Sequence, residues 1–173
     1  TPALSGQITV SHAAAASFVV DQITDPVAAG TASNVRVTVQ DQYANTATGY
    51  VGAVTFTSTD AQAVLPGNYT FLAGDLGVKT FTSGVTMKTS GERTVTVTDV
   101  SGDSLGVDGI AGTQSAITVD PVAAATFAVA GITDPVVAGI ASNVSVRVKD
   151  IYGNTVTGYV GAVTFTSTDA QAV

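Results

Sequence analysis

Cysteine and tryptophan are missing from all 173 residues, and histidine and methionine occur once each. Without cysteine there is no disulfide, no thiolate nucleophile and no cysteine-ligated metal site. A domain of this composition is held by its apolar core alone. Charge is scarce as well, at 11% of residues against roughly a quarter in ordinary globular proteins. The outward faces therefore rely on Thr, Ser, Asn and Gln. Six basic residues against thirteen acidic ones leave a net charge of −7. Binding a phosphate backbone needs a basic stripe, so the charge argues against nucleic acid and no such partner is expected. No apolar run approaches the ~20 residues of a membrane-spanning helix, so this segment is not expected to insert in a membrane. Thr1–Gly6 carries neither the basic region nor the apolar block of a signal peptide. Apolar content is nonetheless high, at 45% with a mean hydropathy of +0.39, which is not the composition of a disordered segment.

The chain also repeats itself. Residues 48–64 and 157–173 both read TGYVGAVTFTSTDAQAV. Phe18 matches Phe127 and Asp25-Pro26 matches Asp134-Pro135, each 109 residues apart, and residues 13–64 and 122–173 agree at 39 of 52 positions. Ile8-Thr9-Val10 matches Ile117-Thr118-Val119 at the same offset. Residues 1–11 thus read as the last strand of a preceding repeat. Residues 12–120 read as a complete repeat, and 121–173 as the first half of the next. Helical solenoid units of 20–50 residues cannot stand alone, whereas a period near 100 suits an independent β-sandwich.

Period-two alternation dominates. Val35, Val37 and Val39 point one way; Arg36, Thr38 and Gln40 point the other. In the later copy Val144, Val146 and Val148 keep the first set, while Ser145, Arg147 and Lys149 replace the second. Conserving only one face in this way is the mark of a half-buried strand. Thr94-Val-Thr-Val-Thr98 alternates most clearly. The pattern predicts strands at 17–23, 33–41, 51–58, 68–72, 77–87, 92–99 and 114–120, each to within about three residues. Turns separate them, among them Asp41–Asn45 and its copy Asp150–Asn154, where Ala44 or Gly153 occupies a position suited to a left-handed backbone. Ala13–Ala16 is too short to nucleate a helix and reads as a hinge between repeats. Seven strands with regular turns make an all-β, antiparallel two-sheet sandwich.

The framework running through Phe18–Gly30, Val35–Asn45, Thr48–Asp60, Asp75–Phe81 and Gly91–Asp99 resembles the filamin-type, immunoglobulin-like tandem repeats of large prokaryotic cell-surface proteins. The resemblance implies Greek-key β-sandwiches of about seven strands each. It also implies an extracellular role as a spacer or packing unit, with no active site to carry over. Such repeats occur in adhesins, surface layers, fibres and spacers beside secreted hydrolases, and fold alone does not choose among them.

Candidate chemistry is sparse. His12, the only histidine, lies in the connection between repeats, where its counterpart is Pro121; a linker role is expected rather than a triad or metal site. Asp99, Asp103 and Asp108 place three carboxylates in one Gly-rich loop. Calcium takes six to eight oxygens from loops of this kind, but the spacing is not that of an EF-hand and the bidentate Glu is missing. They are the calcium candidates, set against an ordinary solvated hairpin loop. Asp60 and Asp75 sit at strand ends without an aromatic platform, so a glycosidase pair is not expected; no catalytic residue and no organic cofactor is assigned. Asn68 heads a glycosylation sequon in a loop. Asn143 heads another, whose earlier copy Asn34-Val35-Arg36 is not one. Tyr50 and Tyr159 read as aromatic plugs at the sandwich rim rather than sugar platforms, and a buried hydroxyl there needs a partner.

Residues 121–173 hold only the first half of a repeat. A half sandwich exposes an apolar face and free edges. The expectation is a window of a longer tandem array; completion by another subunit is the alternative, although Leu4–Val10 could supply only one of the four missing strands. The expected function is a structural repeat of a surface protein or fibre, partnered by neighbouring repeats and by self-association. An adhesin repeat or a hydrolase spacer is the alternative.

Overall fold

The computed structural model describes residues 8–100 and 109–171, in which every regular element is a β-strand apart from one 3-10 turn at Ala73–Asp75. The chain divides into two compact units, residues 1–121 and 122–173.

Unit 1 carries eight strands: β1 (Ala15–Asp21), β2 (Val27–Ala28), β3 (Ala32–Asp41), β4 (Ala53–Ser58), β5 (Tyr69–Thr70), β6 (Val78–Thr86), β7 (Gly91–Asp99) and β8 (Ala111–Asp120). They form one sheet ordered β1-β3-β6 and another ordered β2-β8-β7-β4-β5. All pairings are antiparallel except β2 with β8, where Val27 lies opposite Val119. The inward valines of β3, Val35, Val37 and Val39, are completely buried, as are Val54, Val95, Val97 and Ile117 of the other sheet. Phe56 of β4 meets Phe81 of β6 edge to face at 5.0 Å, joining the sheets across the core. Filling that core are β-branched and aromatic side chains, which suit a pleated, half-buried surface.

Seven of the eight strands fall where the alternation places them. The strand expected at 68–72 shrinks to Tyr69–Thr70. β2 has no signature in the sequence because two residues cannot display a period. Ala13–Ala16 is not a free hinge: β1 begins at Ala15, and the amide of Ala13 is already bonded. Ile8 and Val10 lie outside any strand and are exposed.

Unit 2 carries β9 (Ala124–Ala130) and β10 (Ser145–Asp150), paired antiparallel with Val129 opposite Val146. This is the register of β1 with β3, in which Val20 lies opposite Val37. Residues 162–167, the copy of β4, form no strand.

Candidate functional site

The most closely built polar cluster surrounds Asp41, at the end of β3, which is buried. Its Oδ1 accepts the backbone N–H groups of Tyr43 and Asn45, both at 2.9 Å, which closes the D-x-Y-x-N turn. Its Oδ2 accepts the N–H of Ala13 at 2.8 Å, and the Asn45 amide donates to the same oxygen at 3.1 Å. One carboxylate thus folds the turn and holds Ala13, two residues ahead of β1. Burial pushes its pKa up, but the bonds from Ala13, Asn45 and Tyr43 outweigh burial and bring it down to about 2.

The same arrangement is built again in unit 2. Asp150 Oδ1 accepts Tyr152 N–H and Asn154 N–H at 2.9 and 2.8 Å, and Oδ2 accepts Val122 N–H at 3.1 Å and the Asn154 amide at 2.8 Å. Val122 is the counterpart of Ala13. Opposing burial, these bonds from Asn154, Val122 and Tyr152 hold the Asp150 pKa below the usual carboxylate range. The sequence marked both segments as turns. It did not reveal the bond back to Ala13 or Val122, because an amide twenty-eight residues away leaves no trace in the motif; the fixed D-x-x-x-N spacing in both copies was the one available signal.

His12 precedes this clamp. Its Nδ1 lies 2.8 Å from the carbonyl of Ala13, and among the described residues no carboxylate or hydroxyl bonds to its ring. An open recess of about 510 Å³ beside the turn is lined by Val10, Ser11, His12, Asn45, Thr46 and Thr48, with no nucleophile and base paired across it.

Tyr50 is buried and stacks edge to face between Phe18 and Phe71, at 5.7 and 5.2 Å. Its hydroxyl donates to Asp99 Oδ2 at 2.6 Å, the partner that a buried phenol requires. Tyr159 meets Phe127 at 5.5 Å with nearly the same tilt, 79° against 77°. Asp99 is buried beneath this plug, while Asp103 and Asp108 lie outside the described residues. Among the described residues no three His, Asp or Glu side chains converge to hold a metal ion.

Asp60 and Asp75 serve the backbone separately. Asp60 Oδ1 accepts the Gln62 N–H and the Thr89 hydroxyl; Oδ2 accepts the N–H groups of Lys88 and Thr89, at 2.6 and 2.9 Å. Burial raises its pKa, but the bonds from Thr89, Lys88 and Gln62 prevail and lower it. Asp75 Oδ2 accepts Leu72 N–H and the Tyr69 hydroxyl, and Lys79 approaches Oδ1 at 3.4 Å. Those three lower its pKa in that order. Asn68 is exposed ahead of β5, and Asn143 is exposed ahead of β10.

Two further polar contacts, with no local signature in the sequence, hold β8 in place. The Gln114 side chain accepts from Ile23 N–H and donates to Ile23 C=O, at 3.1 and 2.9 Å. The Thr118 N–H donates to Asp25 Oδ1 at 2.9 Å.

No protein-family model matches the chain, and no curated protein matches it. Among solved structures it is similar to domains 5–6 of the S-layer protein SbsC, at 21% identity with a TM-score of 0.35. That match covers 82% of this chain and 65% of the other, so the chain spans just under two thirds of that structure's length.

Proposed function

We propose that this chain is a structural tandem-repeat module of an extracellular surface protein or fibre, a stalk or packing unit made of immunoglobulin-like, filamin-type Greek-key sandwiches. The observation that carries this reading is the duplicated clamp. Two copies 109 residues apart tie the residue two positions ahead of their first strand to the same D-x-Y-x-N turn through the same four classes of bond. What the chain repeats is a means of fixing the start of each sandwich. The polar side chains around it are spent on backbone amides, a role in architecture rather than in turnover. The work is mechanical: each module keeps its own core, and modules in series extend the chain. Low charge and Thr-rich outer faces leave little repulsion to oppose lateral packing into a layer or fibre, with copies of the same protein as partners.

Sedimentation of the purified chain across a concentration series, run beside a glycan array and a cell-binding assay, tests the reading. Concentration-dependent association without saturable glycan or cell binding is the expected result. Saturable binding to one glycan class, with no self-association, would replace it with an adhesin. Turnover of a polysaccharide or peptide substrate would overturn it altogether.

A further inference from the structure

One segment of unit 1 runs beside β8 along its whole length, and the contacts climb both in step. At the start, β8 passes so close to β1 that a Cβ on Gly112 would collide with the carbonyl of Phe18. Gln114 then accepts from the N–H of Ile23 at 3.1 Å and donates to its carbonyl at 2.9 Å. Thr118 N–H donates to Asp25 Oδ1 at 2.9 Å. Val27 lies opposite Val119 and Ala28 opposite Asp120, where β2 pairs with β8. The Ala29 N–H closes the series on the Asp120 carbonyl at 2.8 Å. Residue numbers rise on both sides from each contact to the next, so residues 18–29 and 112–120 run parallel. Val27, Ile117 and Val119, each at most 3% exposed, shut water out on the inner side.

Direction decides what a pull does to such a seam. In a parallel pair, the upstream end of one segment and the downstream end of the other lie at opposite ends. Tension that enters unit 1 ahead of β1 and leaves it after β8 therefore slides the two segments past each other. It loads the bonds of Gln114, Thr118, β2 and Ala29 together, and none opens ahead of the rest. Tension applied to the same end of both segments opens those bonds one at a time. A single hydrogen bond contributes little net stability, so resistance to a pull comes from loading several at once.

We infer that this parallel seam is the mechanical lock of unit 1: it carries tension along the chain in shear and sets the force at which the unit opens. Gln114 is its chief side chain, since it bonds both backbone polar groups of Ile23. Gly112 lets the segments approach closely enough for that bridge to form. The lock deepens the stalk reading and rests on it for its use, whereas the resistance itself belongs to the fold of unit 1.

Constant-force spectroscopy of the full chain tests it. The chain has no cysteine, so introduced cysteines place the handles without competition. With handles at the two termini, unit 1 should open in one step that releases roughly 350 Å of contour for residues 13–120. Gln114→Ala should shorten its lifetime under a fixed force by about 10-fold or more, as two bonds that open together are lost. Tyr50→Phe, which removes the bond to Asp99 away from the seam, should shorten it less. Handles at Thr31→Cys and Asp120→Cys pull on the same end of both segments and leave every seam bond in place. Under the same force the lifetime should then be at least about 10-fold shorter, because the bonds open singly. Equal lifetimes in the two pulling directions would overturn the inference, as would a Gln114→Ala lifetime equal to that of the unaltered chain. Either result beside intact self-association would remove the lock and leave the stalk reading standing. A direction-dependent lifetime without self-association would keep the lock and remove the packing role.

Discussion

Left-handed backbone positions show what a single residue can cost. Gln22 and Ala44 have φ of 70° and 64°; at the same two places unit 2 holds Gly131 and Gly153, with φ of 90° and 85°. For an L-residue this conformation costs about 1–2 kcal/mol. The added unfolded-state freedom of glycine returns about 0.4–1 kcal/mol of that. Ala44→Gly should therefore stabilise unit 1 by about 0.5–1 kcal/mol and raise its Tm by a few degrees, measured by calorimetry. A lower Tm would mean that the turn does not need this conformation. Asp41 yields a prediction in pH. Its folded pKa is depressed, so its contribution is present above the unfolded value near 3.8 and is lost as pH falls through about 2. Thermal melts of the native chain between pH 5 and 2 should lose stability in that window. Asp41→Asn should be less stable at neutral pH and should lose less on acidification. Equal slopes for the two proteins would show that Ala13 is held by something else.

At the scale of elements, pairs of strands change together. Arg36 on β3 donates through Nε and Nη2 to Asp21 on β1, at 2.9 and 2.7 Å. Unit 2 replaces both partners at once, and Ser145 donates its hydroxyl to the carbonyl of Ala130 instead. Neither copy leaves one charge stranded across the pair. Both side chains of the ion pair are more than a third exposed, so its worth is modest. A double-mutant cycle of Asp21→Ala and Arg36→Ser should give a coupling of about 0.2–1 kcal/mol that fades in high salt. A coupling unchanged by salt would point to packing rather than charge. The long strands were legible because one face is buried and the other wet, as in Val35–Gln40 and Thr94–Thr98. β2 was not, since two residues show no period and its pairing is set by β8, and β5 was legible only as a longer strand than the two residues that pair with β4.

At the scale of the molecule, the buried apolar side chains of unit 1, among the described residues, run from Phe18 to Val119. Removing residues 122–173 should shift its Tm by less than about 2 °C, within the effect of a fraction of a kcal/mol. A loss of several degrees would show that unit 2 supports it. The sequence by itself determined the repeat, the all-β class, the inward valines and the turns, because periodicity and punctuation are local and are written into consecutive residues. It also foretold that Tyr50 would need a partner for its hydroxyl. Only the tertiary structure decided that the partner is Asp99, that Asp41 and Asp150 hold Ala13 and Val122, and that Gln114 grips Ile23. Those contacts join residues 28 to 91 positions apart. A carboxylate or amide has the same spelling whether it faces water or a distant backbone group, and chain folding alone chooses between the two.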